Sequence, residues 1–280
     1  MKHTPQYTAR LLLMALVTVA SMTAVAAEPQ PSRLTQHWSA HDNDSTATID
    51  YSAFADFLDK YVVVRDEAPN LVRYQDVTAA DHKRLQTCIQ QLATIPLAQY
   101  SRKVQLAYWI NLYNAALLNL VLDHYPVDSV RDITWGQAKV WEIPVVQVDG
   151  YRMSLATIRF DILKPIWQQS LIYYGLSSAA LGGPGLRAQP YTADGIQLQL
   201  RANAKKYVNS SQGLRIKDDQ LIVSSFFKRY RDAFGRSDTA LISQLREHAA
   251  PALSARLDVF DTISKFTFDW DLNSAQTSNS

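Results

Sequence analysis

The side chains best suited to nucleophilic chemistry are two adjacent serines near the middle of the chain. Residues 175–179 (GLSSA) come close to the G-x-S-x-G turn that presents a nucleophilic serine, but alanine replaces the last glycine. A serine hydroxyl attacks only when a neighbouring base accepts its proton. The one histidine after this run is His248, in a stretch with the charged, amphipathic pattern of a helix. Ser178 is therefore a candidate nucleophile without an obvious base, and an ordinary loop serine is the alternative.

Polar side chains also interrupt the most apolar stretch of the chain, residues 106–122. A buried amide without a hydrogen-bond partner costs about 1–3 kcal/mol, so each asparagine here needs a partner. Asn111 and Asn114 could line a ligand site. Alternatively, they could tie down the glycine-rich loop at 182–185 or the chain around Asp269, and we favour this structural role. The residues considered for ligand binding are Trp109, Asn111, Tyr113, Asn114, Tyr173, Tyr191 and Asp269, although the aromatic ones would equally suit a core.

The N-terminus has the pattern of a cleavable signal peptide over residues 1–26. Basic residues precede an apolar run at 11–19, and small residues follow it. Cleavage is expected after Ala26 or Ala27. The apolar run is too short for a stable transmembrane helix of roughly 20 residues, so an uncut anchor is disfavoured. We therefore expect a periplasmic or secreted protein with no transmembrane segment after cleavage.

Charge and cysteine content bear on nucleic-acid binding and on disulfide bonds. Without Lys2 and Arg10, the basic residues equal the 26 acidic ones, so charge gives no reason to expect binding to nucleic acid. Cys88 is the only cysteine, so no disulfide can form within the chain. The sequence shows no motif for a metal ion or an organic cofactor, and we predict neither.

The pattern along the chain predicts a helix-rich α+β domain with small antiparallel sheets and hairpins. Asp149-Gly150 between β-rich runs predicts a hairpin turn, and a second hairpin is expected at 214–223. Residues 171–176 are predicted to form a short extended or buried piece, and Thr192 to cap a helix. Other helices are expected from Asp50 and at about 79–94, 101–124, 155–167, 224–234, 238–248 and 251–259. The expected organisation is a flexible lead-in at 27–49, a globular domain at 50–273 and a disordered tail at 274–280.

Four ordered blocks resemble one known family, the domain of unknown function 547 family. They are residues 106–115 (LAYWINLYNA), 125–133 (YPVDSVRDI), 184–192 (PGLRAQPYT) and 269–273 (DWDLN). The resemblance extends over about residues 50–273. It implies a shared fold but names no reaction.

The resemblance also implies that five chemically active residues of the family have been replaced. Arg159 and Phe160 stand where the family has the glutamate and histidine of an I-E-H triplet. Tyr173 stands in place of a second histidine, and Ser178 and Gly183 stand in place of two cysteines. A thiolate nucleophile with its base, or a zinc site with three or four ligands, is not retained at these positions.

Two functions remain open from the sequence. The first is an exported protein with a degenerate active site, non-catalytic, that acts as an envelope binding or scaffold protein for a partner or a small ligand. The second is a hydrolase or transferase with an altered site around Ser178, in which residues such as Asn111, Tyr173 or Asp269 take altered roles. The two differ in whether a titratable group lies within hydrogen-bond reach of Ser178.

Overall fold

The computed structural model describes residues 32–275, and this part of the chain has the helix-rich α+β fold that the sequence predicts. The α-helices are Arg33–His37 (α1), Ser52–Tyr61 (α2), Ala79–Leu92 (α3), Arg102–His124 (α4), Leu155–Thr157 (α5), Lys164–Trp167 (α6), Leu171–Gly175 (α7), Ile196–Val208 (α8), Ser225–Arg229 (α9), Arg231–Phe234 (α10), Asp238–His248 (α11) and Pro251–Leu257 (α12). A π-helical segment, Ile158–Leu163, joins α5 to α6. The strands are Val62–Val63 (β1), Leu71–Val72 (β2), Thr134–Trp135 (β3), Ala138–Lys139 (β4), Pro144–Val148 (β5), Tyr151–Ser154 (β6), Leu214–Lys217 (β7), Gln220–Ser224 (β8) and Lys265–Thr267 (β9).

Helix α4 is the central element of the first hydrophobic core. It begins after Ser101 and ends at His124, because Pro126 cannot continue a helix and restricts Tyr125 before it to an extended conformation. Apolar residues occur on all its sides rather than in one stripe, and most of residues 104–121 are buried. A helix with this pattern is enclosed by other elements. The polar side chains of α4 can therefore hold the segments that surround it.

The sheets are small, and most pair neighbouring strands. Strands β5 and β6 turn at Asp149-Gly150, where φ angles of 47° and 80° confirm the predicted hairpin. Strands β7 and β8 form the second predicted hairpin, and β9 pairs with β8 in parallel. Parallel pairing needs a crossover of a dozen or more residues, which α9 to α12 supply.

Two local predictions differ from the structure. Residues 171–175 are buried but helical, because a short aromatic and apolar run does not distinguish a strand from a helix. Helix α8 begins after Gly195 rather than at Thr192. The backbone N–H of Thr192 instead donates to the side chain of Gln199, with 3.0 Å between the nitrogen and Oε1.

The packed part of the chain extends beyond both ends of the predicted globular domain. Trp38, in the predicted flexible lead-in, is 6% exposed and packs edge-on against Trp109, with 5.0 Å between ring centroids. Ala275, in the predicted disordered tail, is buried and donates to the carbonyl of Val72 at 2.8 Å. The predicted signal peptide and residues 276–280 lie outside the described residues.

The C-terminal segment 269–273 joins parts of the chain that are distant in sequence. The backbone N–H of Gly182 donates to the backbone carbonyl of Asp269 at 2.9 Å. The backbone N–H of Leu272 donates to the backbone carbonyl of Asp128 at 2.8 Å. These bonds join two of the four blocks on which the family resemblance rests, residues 125–133 and 269–273. They also tie the loop after α7 to the end of the chain.

Candidate functional site

A pocket of about 250 Å³ lies where the two hydrophobic cores of the described chain meet. The first core surrounds α4, and the second is built mainly from α8, α9 and α11. The polar residues that line the pocket are Arg159, Ser178, Ser225, Lys228 and Arg229. Its aromatic walls are Trp141, Tyr173, Phe226, Tyr230, Phe268 and Trp270. We call this site the Arg159 pocket.

Arg159 is the buried cation of the pocket and is only 4% exposed. It lies in the π-helical segment, and such turns are frequent at functional sites. One Nη group donates to the hydroxyl of Tyr113 and the other to that of Tyr230. Its Nε has no hydrogen-bond partner within residues 32–275, and no ion pair of that range includes it. Burial lowers the pKa of Arg159, but a guanidinium stays protonated in proteins.

Aromatic rings, rather than a carboxylate, surround this guanidinium. Its central carbon lies 5.1 Å from the ring centroid of Tyr113 and 5.4 Å from those of Trp141 and Tyr230. Ring faces attract a cation, although each contributes only ~0.5–2 kcal/mol. Among residues 32–275, the rings and hydroxyls that contact this positive charge are therefore neutral.

Ser178 lies in the loop after α7, which an asparagine of α4 holds in place. The Asn114 side chain donates to the Gly175 carbonyl at 2.8 Å and accepts from the Ser177 N–H at 3.0 Å. The Ser178 hydroxyl accepts a long bond, 3.4 Å, from the N–H of Ala180. The loop thus places Ser178 in the lining of the pocket.

Ser178 has no general base among the residues that line the pocket, since none of them is a carboxylate or a histidine. His248 is not among them and packs edge-on against Tyr174, with 5.7 Å between ring centroids. The exposed amine of Lys228 lies over the Phe266 ring at 5.6 Å. The described groups around Ser178 therefore do not form a nucleophile–base pair.

Tyr173 lines the pocket, and its ring packs against Tyr230 with 4.5 Å between centroids. Burial, assisted by Tyr230, raises the pKa of Tyr173 to about 12. The phenol is therefore protonated at neutral pH. It can donate a hydrogen bond to a ligand, but it cannot act as a base there.

Gly183 and Ser178 lie side by side. A Cβ atom at Gly183 would be 3.1 Å from the Cβ of Ser178 and 2.0 Å from its hydroxyl oxygen. The positions at which the resemblance implies two cysteines are therefore neighbours in space. The glycine leaves the room that the Ser178 hydroxyl occupies.

The other residues considered for ligand binding are not among those that line the pocket. Asn111 donates to the Tyr191 carbonyl at 2.8 Å and accepts from its N–H at 2.9 Å. Trp109 is fully buried, and the exposed Asp269 accepts from the N–H of Asp271 at 3.0 Å. The asparagines of α4 thus support the fold, but their partners are Tyr191 and residues 175–177 rather than the glycine-rich loop. Tyr113 contributes to the pocket indirectly, through its hydroxyl on Arg159.

Sequence reasoning missed most of the charged and aromatic residues of the pocket. Arg159 is identified from the sequence only as the replacement of a glutamate. Lys228 and Arg229 lie in the predicted helix at 224–234, where charged residues ordinarily face solvent. No local signal marks them, because the pocket is lined by five separate stretches of the chain.

A family model described as Protein of unknown function, DUF547, matches residues 97–208. The match includes three of the four blocks named above and all five substituted positions, whereas residues 269–273 lie beyond it. No curated protein and no solved structure matches the chain. The chain therefore resembles this family over its central segment.

Two searches of the described residues bear on other kinds of site. No helix between residues 32 and 275 is long and apolar enough to cross a membrane. Over the same range, no group of three or more His, Cys, Asp or Glu side chains is placed to hold a metal ion.

Proposed function

We propose that this protein is an exported, non-catalytic binding protein that takes a small ligand in the Arg159 pocket. The observation that carries the proposal is that Arg159, Tyr173 and Ser178 line the same pocket. These are three of the positions where the resemblance implies a glutamate, a histidine and a cysteine. Their shared place in one pocket supports a site that keeps its position in the fold while its side chains change from reactive groups to groups that bind.

The surroundings of Ser178 favour this proposal over a hydrolase or transferase. Efficient attack by a serine requires a base within hydrogen-bond reach. Tyr173 is protonated at neutral pH, and the residues that line the pocket include no carboxylate and no histidine. The same groups are well suited to binding, since an apolar cavity with a few convergent polar groups is the usual form of a ligand site.

The test is a thermal-shift screen of the mature chain against envelope metabolites and peptidoglycan fragments. A ligand that binds only the folded state raises the melting temperature. We expect a specific stabilising ligand, and we expect Ser225→Trp to abolish its effect by filling the pocket. Ser211→Trp, at an exposed position away from the pocket, is the matched control and should keep the effect.

Two results would contradict the proposal. One is a ligand whose stabilising effect survives Ser225→Trp, which would place the site elsewhere. The other is turnover of a chromogenic ester that Ser178→Ala eliminates, which would favour the hydrolase.

Export is a separate part of the proposal and rests on residues 1–27 alone. Mass spectrometry of the protein from a periplasmic extract should find Ala27 or Glu28 as the first residue. A chain that keeps Met1 and stays in the cytoplasm would contradict export.

A further inference from the structure

The charges of the Arg159 pocket all have the same sign. Its lining contains three cationic residues, Arg159, Lys228 and Arg229, and no acidic one. Asp232 lines adjoining depressions of the surface, together with Lys164. Its carboxylate already lies 4.0 Å from the amine of Lys164 and 3.7 Å from Arg236 Nε. Within the described chain, this pocket therefore concentrates positive charge.

Arg159 has fewer hydrogen-bond partners than a buried guanidinium requires. Moving a charge out of water is costly unless an opposite charge or a full set of hydrogen bonds compensates it. Arginine has five N–H donors. Two of those of Arg159 donate to phenol oxygens, and Nε–H has no partner among residues 32–275. A carboxylate or phosphate is the group whose geometry best matches such a fork.

The rest of the pocket is suited to a flat apolar group. Phe268 and Trp270 pack together on one wall with 4.4 Å between ring centroids, and Tyr173 and Tyr230 form another pair. An apolar cavity of about 150 Å³ holds one benzene molecule. The volume of about 250 Å³ therefore has room for one ring that carries a charged group.

We propose that the ligand of the Arg159 pocket is a small organic anion. A carboxylate or phosphate group binds Arg159, and Lys228 and Arg229 at the rim attract it. The flat apolar part lies against the aromatic walls. This inference rests on the proposed binding function and specifies its ligand class.

The competing interpretation is that Arg159 only supports the fold, held by its tyrosines. Tyr113 is fully buried, so the Arg159–Tyr113 contact also ties the π-helical segment to α4. That role explains one of the two tyrosine bonds. It does not explain why Lys228 and Arg229 stand at the same pocket with no acidic residue in its lining.

Calorimetric titration of the mature chain with four probes separates charge from shape. Benzoate and phenyl phosphate carry both a ring and an anionic group, benzyl alcohol carries only the ring, and inorganic phosphate carries only the charge. We expect at least one of the two ring-bearing anions to bind at least tenfold more tightly than benzyl alcohol and than inorganic phosphate.

Three variants locate the binding. Lys228→Gln/Arg229→Gln changes two exposed side chains and should weaken anion binding at least threefold. Lys205→Gln/Lys217→Gln removes the same charge from exposed positions outside the pocket and should leave it within twofold. Arg159→Met should lose anion binding, with circular dichroism used to check that it folds. If Arg159→Met does not fold, the double variant at the rim still decides the question.

Each of the other outcomes would overturn one part of the proposal. Equal binding of benzyl alcohol and both ring-bearing anions would leave the proposed binding function intact and overturn the anionic ligand. Equal binding of inorganic phosphate and phenyl phosphate would overturn the role of the aromatic walls. If the rim variant binds like the wild type, the charged pocket is not the site. If no probe binds while the screen yields a neutral ligand, only this inference fails; if neither yields a ligand, the proposed function fails as well.

Discussion

Arg159 stands where the resemblance implies a glutamate, so one residue reverses the charge of the pocket. Tyr173 and Ser178 complete the change, because neither group can ligate a metal strongly or accept a proton at neutral pH. Groups that donate hydrogen bonds thus stand where the resemblance implies groups that could attack, ligate a metal or accept a proton. At the scale of residues, this pattern is what the proposed binding function requires.

The asparagines of α4 lead to a prediction at the same scale. Asn114→Ala would leave the buried Gly175 carbonyl and Ser177 N–H without their partners. We expect the free energy of unfolding to fall by about 2–4 kcal/mol, because each unpaired buried group costs ~1–3 kcal/mol. Urea unfolding measures this loss.

Asn119→Ala on the same helix is the matched control. Its amide contacts His82 and Asp123 near the surface, so its removal should cost less than about 1 kcal/mol. Equal losses in the two variants would show that the Asn114 bonds do not hold the loop.

At the scale of elements, the loop after α7 depends on a close approach to the C-terminal segment. A Cβ atom at Gly182 would lie 2.5 Å from the backbone nitrogen of Asp269, too close for any side chain. We expect Gly182→Ala to lower stability by about 2 kcal/mol or more and to weaken ligand binding, because the backbone must separate. Thermal unfolding and the titration described above measure both effects.

Gly195→Ala is the comparison for this prediction. Its added Cβ would meet side-chain atoms of Thr192 and Gln199 at 3.0 and 3.2 Å, and these can move. We therefore expect a change of less than about 1 kcal/mol. A Gly182→Ala protein as stable as Gly195→Ala would contradict the close backbone approach.

A second prediction at this scale concerns acid stability. Asp238 accepts a hydrogen bond from the Ile263 N–H at 2.9 Å and another from Arg231 at 2.6 Å. The bond to Ile263, with the contribution of Arg231, lowers the pKa of Asp238 below the ordinary 3.8. Because the folded pKa is the lower one, this stabilisation is present above about pH 3.8 and is lost as the pH falls through the lowered value.

Asp238→Asn should therefore be less stable than the wild type at pH 7, and the difference should shrink below pH 3.8. Urea midpoints between pH 3 and 7 measure it. A constant gap between wild type and Asp238→Asn at every pH would contradict the assignment.

At the scale of the whole molecule, the elements could be predicted from sequence more completely than the pocket. The length and apolar content of α4 and the Asp149-Gly150 turn are local signals, and both elements are present. The lining of the pocket includes Trp141, Lys228 and Trp270, which come from different parts of the chain and meet only in the folded protein. Such contacts follow from packing, and no spacing pattern encodes them. The sequence therefore identified the substituted positions but not the group of positive charges that lines the pocket.

Ligand binding should be visible in the stability of the whole molecule. A bound anion at about 100 times its dissociation constant adds ~2.7 kcal/mol. For a chain of this size, that corresponds to a rise in melting temperature of roughly 5–10 °C. Differential scanning fluorimetry with whichever of benzoate and phenyl phosphate binds more tightly should show the rise in the wild type and not in Arg159→Met. The same rise in both proteins would place the anion elsewhere.

The most direct measurement is a crystal structure of the mature chain soaked with 4-bromobenzoate, with the bromine located by its anomalous signal. We predict the carboxylate on Arg159 and the ring against the aromatic walls formed by Tyr230 and Trp270. Bromine density away from the Arg159 pocket, or a ring in the pocket whose carboxylate points away from Arg159, would contradict the account.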